Sequence, residues 1–444
     1  MNASNKIRIL QFNVGAGDHL VLELPDGSIG VVDFHYSKEQ NWGKPPIWYY
    51  LNFKKEQCRS IFLVNLSHYD TDHIKGLTDF HKLIQTLEIP IENVWLAGDK
   101  EKDSLKQLLL SKILEYQKIK KNDAAIDNIV IEDIEMIQLL QNYKNYLEQI
   151  DEFVSAWRKK SDKFEIFVND FKELSGNIGV NIRAYSIAPL DRHIEKYRQM
   201  DASSIADILL FKRRKESNTD RNLISSIFFL EHKKFRWCFG GDASQEVWED
   251  SLKEIGNRKL EETKGIASDF IKVSHHGSKK SSSPLIWENL TKGKKKSFFG
   301  ISAGKKYQHP SFETLEHIKD NSYKNNINST TLSTNSCDDC NNNLNLEEIN
   351  MNDWTEAVQL GHIYRKSRPD IDIAMKPYRS KEYKNWNSNI NQMSNEKGLV
   401  AYVYDFDLTS GEVEIFKGVS KYISSTKACP FYGKTPCPKL NFKV

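Results

Sequence analysis

The stretch SHYDTDHIKGL, residues 67–77, places four candidate metal ligands within six positions. These candidates are His68, Asp70, Asp72 and His73. The apolar run IFLVNL at 61–66 predicts a buried strand before them, and the apolar spacing after them predicts a helix. If the backbone stays extended through the turn, the first three candidates face the same side. Imidazoles and carboxylates aimed at one point suit zinc, manganese or iron, although a polar loop with Asp72 as a helix cap is the alternative on this stretch alone.

Polar side chains follow three later apolar strands in the same way. Asp242 ends the hairpin LISSIFFLEHKKFRWCFGGDAS, the pair His275-His276 ends FIKVSHH, and His309 follows SFFGISAGKKYQ. Together with the stretch 67–77, these strand ends carry five of the twelve histidines in the chain, so we expect them to form one metal site. The loop after the histidine pair could hold a phosphate or be an ordinary solvated loop, and its polar residues are Ser278, Lys279 and Lys280.

Length and composition argue against several classes of protein. The chain has 444 residues, of which 39% are hydrophobic, and this is enough for a large core. A net charge of +3 argues against a protein that coats polyanions generally. No stretch reaches the roughly 18 apolar residues of a membrane span, and the first residues lack the apolar segment of a signal peptide. We therefore expect a cytoplasmic protein that does not contact a membrane.

The pattern along the chain predicts one main unit with two additions. Amphipathic helices at about 101–175 predict a helical insertion, which either packs on the core or serves as a partner-binding arm. An Asn-rich stretch follows residue 319, so we divide the chain into 1–318 and an extension, 319–444, that packs on it. The basic cluster at 212–215 is either a solvated face or a contact for phosphates. The cysteine spacing at Cys337, Cys340, Cys429 and Cys437 does not fit a zinc ribbon well.

The motifs occur in a recognisable order. FNVGAGDHLVLELPDG, VVDF, LSHYDTDHIKGL, SSIFFLEHKKFRWCFGGDAS, IKVSHHGSKKSSS and ISAGKKYQHPS resemble the metallo-β-lactamase fold superfamily. Within it, they are most similar to the ComEC/Rec2-like hydrolase domain of DNA-uptake proteins. The resemblance covers about residues 7–318 and implies an α+β fold, a four-layer αβ/βα sandwich with a metal centre at one edge. It makes 1–318 the hydrolase domain.

The resemblance also implies roles for individual residues. His68 and Asp70 resemble ligands of a first divalent ion, and Asp72 and His73 resemble ligands of a second. Asp242 resembles the carboxylate that bridges the two ions, and the pair His275-His276 supplies a further ligand. Asp33 resembles an aspartate that supports the metal loop, which is the stretch 67–77 quoted above. Local sequence instead favours turn chemistry for both Asp18 and Asp33. We group Asp18 with Asp33 as structural support.

The chain departs from the superfamily in the first ion's site. Asp70 stands where the superfamily has a second histidine, as in the DNA-uptake type. The residue after Asp33 is Phe34 instead of glycine. The separate histidine between the metal loop and the Gly-Asp motif has no convincing counterpart, with His193 and His232 as the late candidates. A site richer in oxygen ligands favours manganese as well as zinc.

The expected function is metal-dependent hydrolysis. Asp72 would orient the nucleophile and accept its proton, and His309 would hold a phosphate or protonate a leaving oxygen. The resemblance implies a phosphodiesterase or nuclease acting on nucleic acid or nucleotides, and it extends to multi-protein systems such as anti-phage defence. Protein partners would then dock through the insertion or the C-terminal extension. The alternatives are hydrolysis of a lactone, thioester or amide, and a non-catalytic binding module on the same fold.

Overall fold

Short apolar runs between turn residues form the strands of the protein, as seen in a computed structural model. The structure describes residues 5–36 (except 13 and 16), 44–54, 58–97 (except 69), 152, 155, 164–168, 171, 173, 182–200, 221–257 (except 233), 265–302, 310–333 (except 326), 349–350, 399–421 and 439–442. Four predictions lie wholly or mostly outside these residues: the role of His309, the basic cluster at 212–215, the four cysteines from Cys337 to Cys437, and the helical insertion. The Asn-rich stretch is described as far as Ser333, where it contains the end of a helix and a strand.

The described residues contain sixteen strands and six α-helices. The strands are β1 (Lys6–Phe12), β2 (Leu20–Glu23), β3 (Ile29–Val32), β4 (Ile61–Leu66), β5 (Val94–Ala97), β6 (Phe164–Val168), β7 (Arg183–Ala188), β8 (Ile227–Glu231), β9 (Arg236–Phe239), β10 (Phe270–Lys272), β11 (Lys296–Ile301), β12 (Asn328–Ser333), β13 (Ile349–Asn350), β14 (Leu399–Asp407), β15 (Val413–Lys421) and β16 (Lys439–Phe442). The helices are α1 (Pro46–Lys54), α2 (Thr71–Ile74), α3 (Leu77–Leu87), α4 (Gln245–Asn257), α5 (Pro284–Thr291) and α6 (Phe312–Lys324).

The strands form two mixed sheets. Sheet A has the order β16-β15-β14-β1-β2-β3-β4-β5-β6, and sheet B has the order β13-β12-β11-β10-β9-β8-β7. In sheet A, β3, β4, β5 and β6 run parallel. In sheet B, β9, β10, β11 and β12 run parallel. The carboxyl ends of parallel neighbours meet at one sheet edge, and this is where α/β proteins place their sites.

Alternating side chains of each strand fill two different apolar layers. One face of sheet A packs on α1 and α3, through residues such as Leu51 and Phe80. One face of sheet B packs on α4, α5 and α6, through residues such as Trp248 and Trp287. The remaining faces share a third cluster, in which Ile9 of sheet A is buried together with Trp237 of sheet B. The order helix, sheet, sheet, helix confirms the predicted αβ/βα sandwich.

Two structural details bear on the predicted organisation. Strand β6 lies inside the range assigned to the helical insertion and pairs with β5, so the helical pattern must end before residue 164. The description of 101–175 as helical throughout is therefore wrong at its end. Strands β12 and β14 lie beyond residue 319, and they pair with β11 and β1 respectively. Both sheets thus contain strands from either side of the predicted division, which itself stays a prediction.

None of the described helices has both the length and the apolar character needed to cross a membrane.

Candidate metal centre

The metal loop changes from strand to helix within four residues. Strand β4 ends at Leu66, and α2 begins at Thr71. The carbonyl oxygen of Asp70 accepts hydrogen bonds from the backbone N–H groups of His73, at 2.9 Å, and Ile74, at 3.2 Å. The backbone therefore does not stay extended, and the expectation that three ligands face one side by strand alternation is wrong. The helical turn instead carries Asp72 and His73, whose ring lies 4.1 Å from the His68 ring, centroid to centroid.

The Asp33 carboxylate contacts two residues of this loop and fixes its conformation. It accepts hydrogen bonds at 2.8 Å from the Ser67 N–H and from the Ser67 hydroxyl. The carboxylate also lies 2.8 Å from Nδ1 of His73. This contact favours a proton on Nδ1, and Nε2 of the same ring points away from Asp33. Asp33 is fully buried and has a φ of 56°, in the left-handed region that aspartate tolerates better than most residues. Local turn chemistry is therefore the wrong reading of Asp33, because its partners lie 34 and 40 positions along the chain.

Asp242 lies at the centre of the cluster. It follows β9 after two glycines, and its N–H donates to the Ser225 hydroxyl at 2.8 Å. A side chain at Gly240 would have its Cβ 2.0 Å from Ser274 Oγ, so only glycine lets the strand ends approach this closely. One carboxylate oxygen of Asp242 is 3.3 Å from His73 Nε2. The other lies within 4 Å of three further imidazole Nε2 atoms, those of His68 (3.9 Å), His275 (3.8 Å) and His276 (3.7 Å).

The two adjacent histidines adopt a strained turn after β10. His275 and His276 have φ values of 48° and 55°, and Gly277 follows with a φ of 82°. The His275 N–H donates to the Gly241 carbonyl at 2.9 Å, which ties this turn to the loop that carries Asp242. Nδ1 of His276 lies 2.9 Å from the Ser302 carbonyl oxygen, so Nε2 faces Asp72 Oδ2 at 3.6 Å. His276 is buried, whereas 24% of the His275 side chain is exposed.

Four of these side chains meet the geometric requirement for one metal ion. Ligand atoms of Asp72, His73, Asp242 and His276 all lie within 4.8 Å of one another. Nε2 of His73 and Oδ1 of Asp242 are buried and 3.3 Å apart, but among the described residues neither atom has a contact with the geometry of a hydrogen bond. Buried polar atoms are costly unless something binds them. Two imidazoles and two carboxylates therefore fit a divalent ion of the zinc or manganese type.

The charges of the cluster also favour a cation. Burial opposes the positive charge of His73, but Asp242 and Asp33 raise its pKa well above the usual value. Burial opposes the negative charge of Asp242, but His73 and His276 lower its pKa well below the usual value. Burial also opposes the negative charge of Asp72, but the contact with His276 and the charge of His73 lower the pKa of Asp72 to about 2. The carboxylates thus attract positive charge, which protons or a metal ion can supply.

Asp18 reaches the cluster through a buried ion pair. Its Oδ2 accepts a hydrogen bond at 2.8 Å from Nζ of Lys272, and both side chains are only 1% exposed. The other oxygen of Asp18 lies 3.7 Å from Nδ1 of His276. Burial disfavours the Asp18 carboxylate, but Lys272 and His276 lower its pKa. Asp18 is therefore not a turn residue. Lys272 was missed because its partner lies 254 positions away.

A segment that sequence reasoning missed contacts the metal loop, the backbone of Asp242 and His275. This segment, 221–226, is a 3₁₀ turn followed by two serines that lead into β8. Ser226 N–H donates to the Ser67 carbonyl at 2.8 Å, and Nη1 of Arg221 donates to Oδ1 of Asp70 at 2.7 Å. Nδ2 of Asn222 lies 3.4 Å from Nδ1 of His275. The available signal was a polar pair, Arg-Asn, separated by four residues from an apolar strand.

The remaining predicted residues have contacts with groups other than the four clustered side chains. Ser278 is buried, and its hydroxyl accepts from the Lys280 N–H at 3.4 Å. Lys279 and Lys280 are exposed, and Lys279 Nζ lies 3.8 Å from Glu313. His193 is bound to Asp250 at 2.9 Å. His232 lies in the β8–β9 turn, at the opposite end of β8 from the segment 221–226. Neither of these two histidines takes the place of the missing superfamily ligand.

Comparisons with known proteins give only remote structural matches. No family model matches the chain, and no curated protein matches it. A mutant of the CmlA beta-hydroxylase aligns at 13% identity with a TM-score of 0.28, over 60% of this chain and 35% of that one. The metallo-beta-lactamase fold protein YhfI from Bacillus subtilis aligns at 11% identity with a TM-score of 0.32, over 66% of this chain and 85% of that one. Unliganded yeast PDE1 aligns at 12% identity with a TM-score of 0.37, over 74% and 98%.

Proposed function

We propose that the protein is a metal-dependent hydrolase, and more narrowly a phosphodiesterase that acts on nucleic acid or nucleotides. The observation that carries the proposal is the convergence of Asp72, His73, Asp242 and His276 on one point at the edge of the two sheets. The narrower substrate class comes from the resemblance of the sequence motifs to the ComEC/Rec2-like type. Cationic side chains near the site, Arg221 beside Asp70 and the lysines of the loop after His276, agree with an anionic substrate.

The site has a buried side and a side that is open to solvent. His73, His276 and Asp242 are buried and would hold the ion. Exposed fractions of the Asp72 and Asp70 side chains are 23% and 33%, so these carboxylates line the open side. A substrate would approach the centre from this open side.

In each buried histidine of the centre, a contact at Nδ1 leaves Nε2 as the nitrogen that can bind an ion. Asp33 fixes Nδ1 of His73 and the Ser302 carbonyl fixes Nδ1 of His276, so both present Nε2 to the centre. A divalent ion bound there would lower the pKa of a water molecule and neutralise charge on a phosphoryl oxygen. Asp72, an ionised carboxylate at neutral pH, would orient the attacking water and accept its proton.

The ion would be zinc or manganese. Equal numbers of imidazole and carboxylate ligands suit both metals. The resemblance implies two ions, and the described residues gather four of the expected ligands around one point. Protein partners, including those of a defence system, would dock through the predicted insertion or the C-terminal extension.

The test is hydrolysis by the purified full chain with Mn²⁺ or Zn²⁺. Substrates would be single-stranded and double-stranded DNA, single-stranded RNA, cyclic dinucleotides and bis-p-nitrophenyl phosphate. Asp72→Asn, which keeps the shape of the side chain, should lower kcat/KM by at least about 100-fold. The matched control is Asp79→Asn on α3, because Asp79 pairs with Lys44 and lies outside the cluster. This control should keep the rate of the parent.

The alternatives give different outcomes in the same assay. Metal-dependent cleavage of a lactone, thioester or amide panel without cleavage of any phosphodiester would support the other hydrolase class. A protein that binds no metal and cleaves none of these substrates would be a binding module, and the proposal would fail.

A further inference from the structure

The resemblance assigns His68 and Asp70 to the first metal ion. Their ligand atoms do not form a close cluster, whereas those assigned to the second ion do. His68 Nε2 lies 3.5 Å from Asp70 and 3.9 Å from Asp242. Among the described residues, the clusters with ligand atoms all within 4.8 Å include neither His68 nor Asp70. Asp70 instead has a close cationic partner, Arg221, at 2.7 Å. The first set of ligands therefore fits a metal ion poorly as it stands.

Arg221 is held opposite Asp70 by the segment 221–226. Ser225 accepts from the Asp242 N–H at 2.8 Å, and Ser226 donates to the Ser67 carbonyl at 2.8 Å. One end of the segment is thus attached to the metal loop and to the backbone of Asp242. The side chains of Arg221 and Asp70 are 34% and 33% exposed, so the pair lies on the open side of the site.

We propose that the Arg221 guanidinium supplies the positive charge that a first metal ion would supply, and that the centre binds one divalent ion, in the Asp72, His73, Asp242 and His276 set. The role of Arg221 toward substrate rests on the proposed phosphodiesterase function. A guanidinium has five N–H donors in a planar fork, which suits a carboxylate and phosphoryl oxygens at once. It stays charged at all relevant pH values, but it does not activate water. Arg221 would therefore bind and orient the substrate phosphate, while the metal site activates the nucleophile.

Metal stoichiometry tests this assignment without a substrate. Full-length protein would be titrated with Mn²⁺ alone, by equilibrium dialysis with elemental analysis. The parent should bind one ion per chain at saturation. Asp70→Asn should also bind one, because Asp70 is not a ligand in this arrangement, whereas Asp72→Asn should lose the ion. Two ions in the parent, or loss of an ion on Asp70→Asn, would overturn the proposal.

Removal of the Arg221 guanidinium should increase the number of metal ions bound. Arg221→Met should raise the stoichiometry from one ion to two, because Asp70, His68 and His275 would no longer share the site with the Arg221 guanidinium. Arg183→Met is the matched control, since Arg183 makes a similar ion pair of 2.8 Å with Glu173 elsewhere, and it should still bind one ion. An Arg221→Met variant that stays at one ion would contradict the assignment.

Substrate measurements separate this inference from the proposed function. If the parent cleaves phosphodiesters, Arg221→Met should raise KM at least about tenfold when assayed at a Mn²⁺ concentration that fills only the tight site. If no substrate is cleaved but the stoichiometries follow the expected pattern, the proposed function fails and the arginine assignment stands. If cleavage occurs with two ions in the parent, the reverse holds.

Discussion

At the scale of single residues, the site depends on which nitrogen of each histidine carries a proton. Asp33 accepts from Nδ1 of His73 and leaves Nε2 directed at Asp242, 3.3 Å away. The same carboxylate holds Ser67, the residue between β4 and the first histidine. One buried aspartate therefore positions the backbone of the metal loop and selects the tautomer of one ligand.

Asp33→Asn should weaken metal binding while it preserves the fold. Asparagine tolerates the left-handed backbone at this position and keeps the shape of the side chain. Its amide would donate to Nδ1 of His73 and force the proton onto Nε2, where it blocks the ligand lone pair. We expect Mn²⁺ affinity to fall by about 10-fold to 100-fold in calorimetric titration. Asp26→Asn, in the β2–β3 turn, is the control, and equal affinities in the two variants would refute this role of Asp33.

His19 should make the fold sensitive to acid. Its ring is fully buried, its Nε2 accepts the Ile47 N–H at 3.1 Å, and burial together with His35 lowers its pKa from 6.5 to about 3. Between these two pH values the unfolded chain binds a proton that the folded chain does not, so stability falls as pH falls. Its contribution to the slope is about 1.4 kcal/mol per pH unit.

His19→Gln keeps an acceptor for the Ile47 N–H but does not titrate. Urea unfolding between pH 4 and 6 should therefore show a smaller pH dependence in this variant than in the parent, by about the slope given above. Equal slopes would mean that His19 is protonated in the folded protein.

At the scale of elements, the site lies where strand ends from two sheets face each other. The turn after β10 carries both histidines in left-handed conformations and ends at Gly277. The packing of Gly277 on Pro310, at the start of α6, fixes how far this turn extends. The conformation of this turn therefore sets the distance between His276 and Asp242.

Substitution at Gly277 should separate backbone strain from damage to the site. Gly277→Ala introduces a Cβ at a φ of 82° and only 2.6 Å from Pro310 Cβ. Gly293→Ala meets a similar φ of 73° with no atom within 4 Å of the new Cβ, so it is the matched control. We expect Gly293→Ala to cost about 1–2 kcal/mol of unfolding free energy without a change in Mn²⁺ affinity. Gly277→Ala should cost more and should also weaken Mn²⁺ binding at least about tenfold, and a variant with unchanged affinity would contradict this.

Sequence reasoning recovered the elements that depend on local pattern. The strand at 61–66 and the helix that follows the metal loop were predicted from short-range periodicity. The side chains at strand ends were recognised for the same reason. Arg221 and Lys272 were not recognised, because their partners Asp70 and Asp18 lie 151 and 254 positions away. Local sequence does not encode which distant strand end faces which.

At the scale of the whole molecule, the apolar layer between the sheets is closed by residues near the end of the chain. Tyr404 of β14 is fully buried there, with its ring centroid 4.9 Å from that of Phe270 in the opposite sheet. Its hydroxyl donates to the Gln11 side chain at 3.3 Å. Strand β14 also pairs with β1 along its length, and Arg8 binds Asp405 through two hydrogen bonds of 2.7 Å.

Tyr404→Ala should destabilise the whole fold. Loss of a buried aromatic ring from a packed core costs about 3–5 kcal/mol of unfolding free energy. Tyr404→Phe keeps the ring and loses one hydrogen bond, so it should cost only about 1 kcal/mol. Both values can be measured by urea unfolding. A cost below about 1 kcal/mol for Tyr404→Ala would mean that β14 contributes little to the inter-sheet layer.

The pairing of β1 with β14 also has a consequence for synthesis in the cell. Arg8 and its partner Asp405 are separated by 397 residues, so the ribosome needs roughly 20 to 80 s to supply the second strand after the first. During that interval, apolar side chains of β1 such as Ile9 lack the cover that Tyr404 and Phe406 later provide. The nascent chain therefore carries an open strand edge and an open apolar face on this sheet until β14 has left the ribosome.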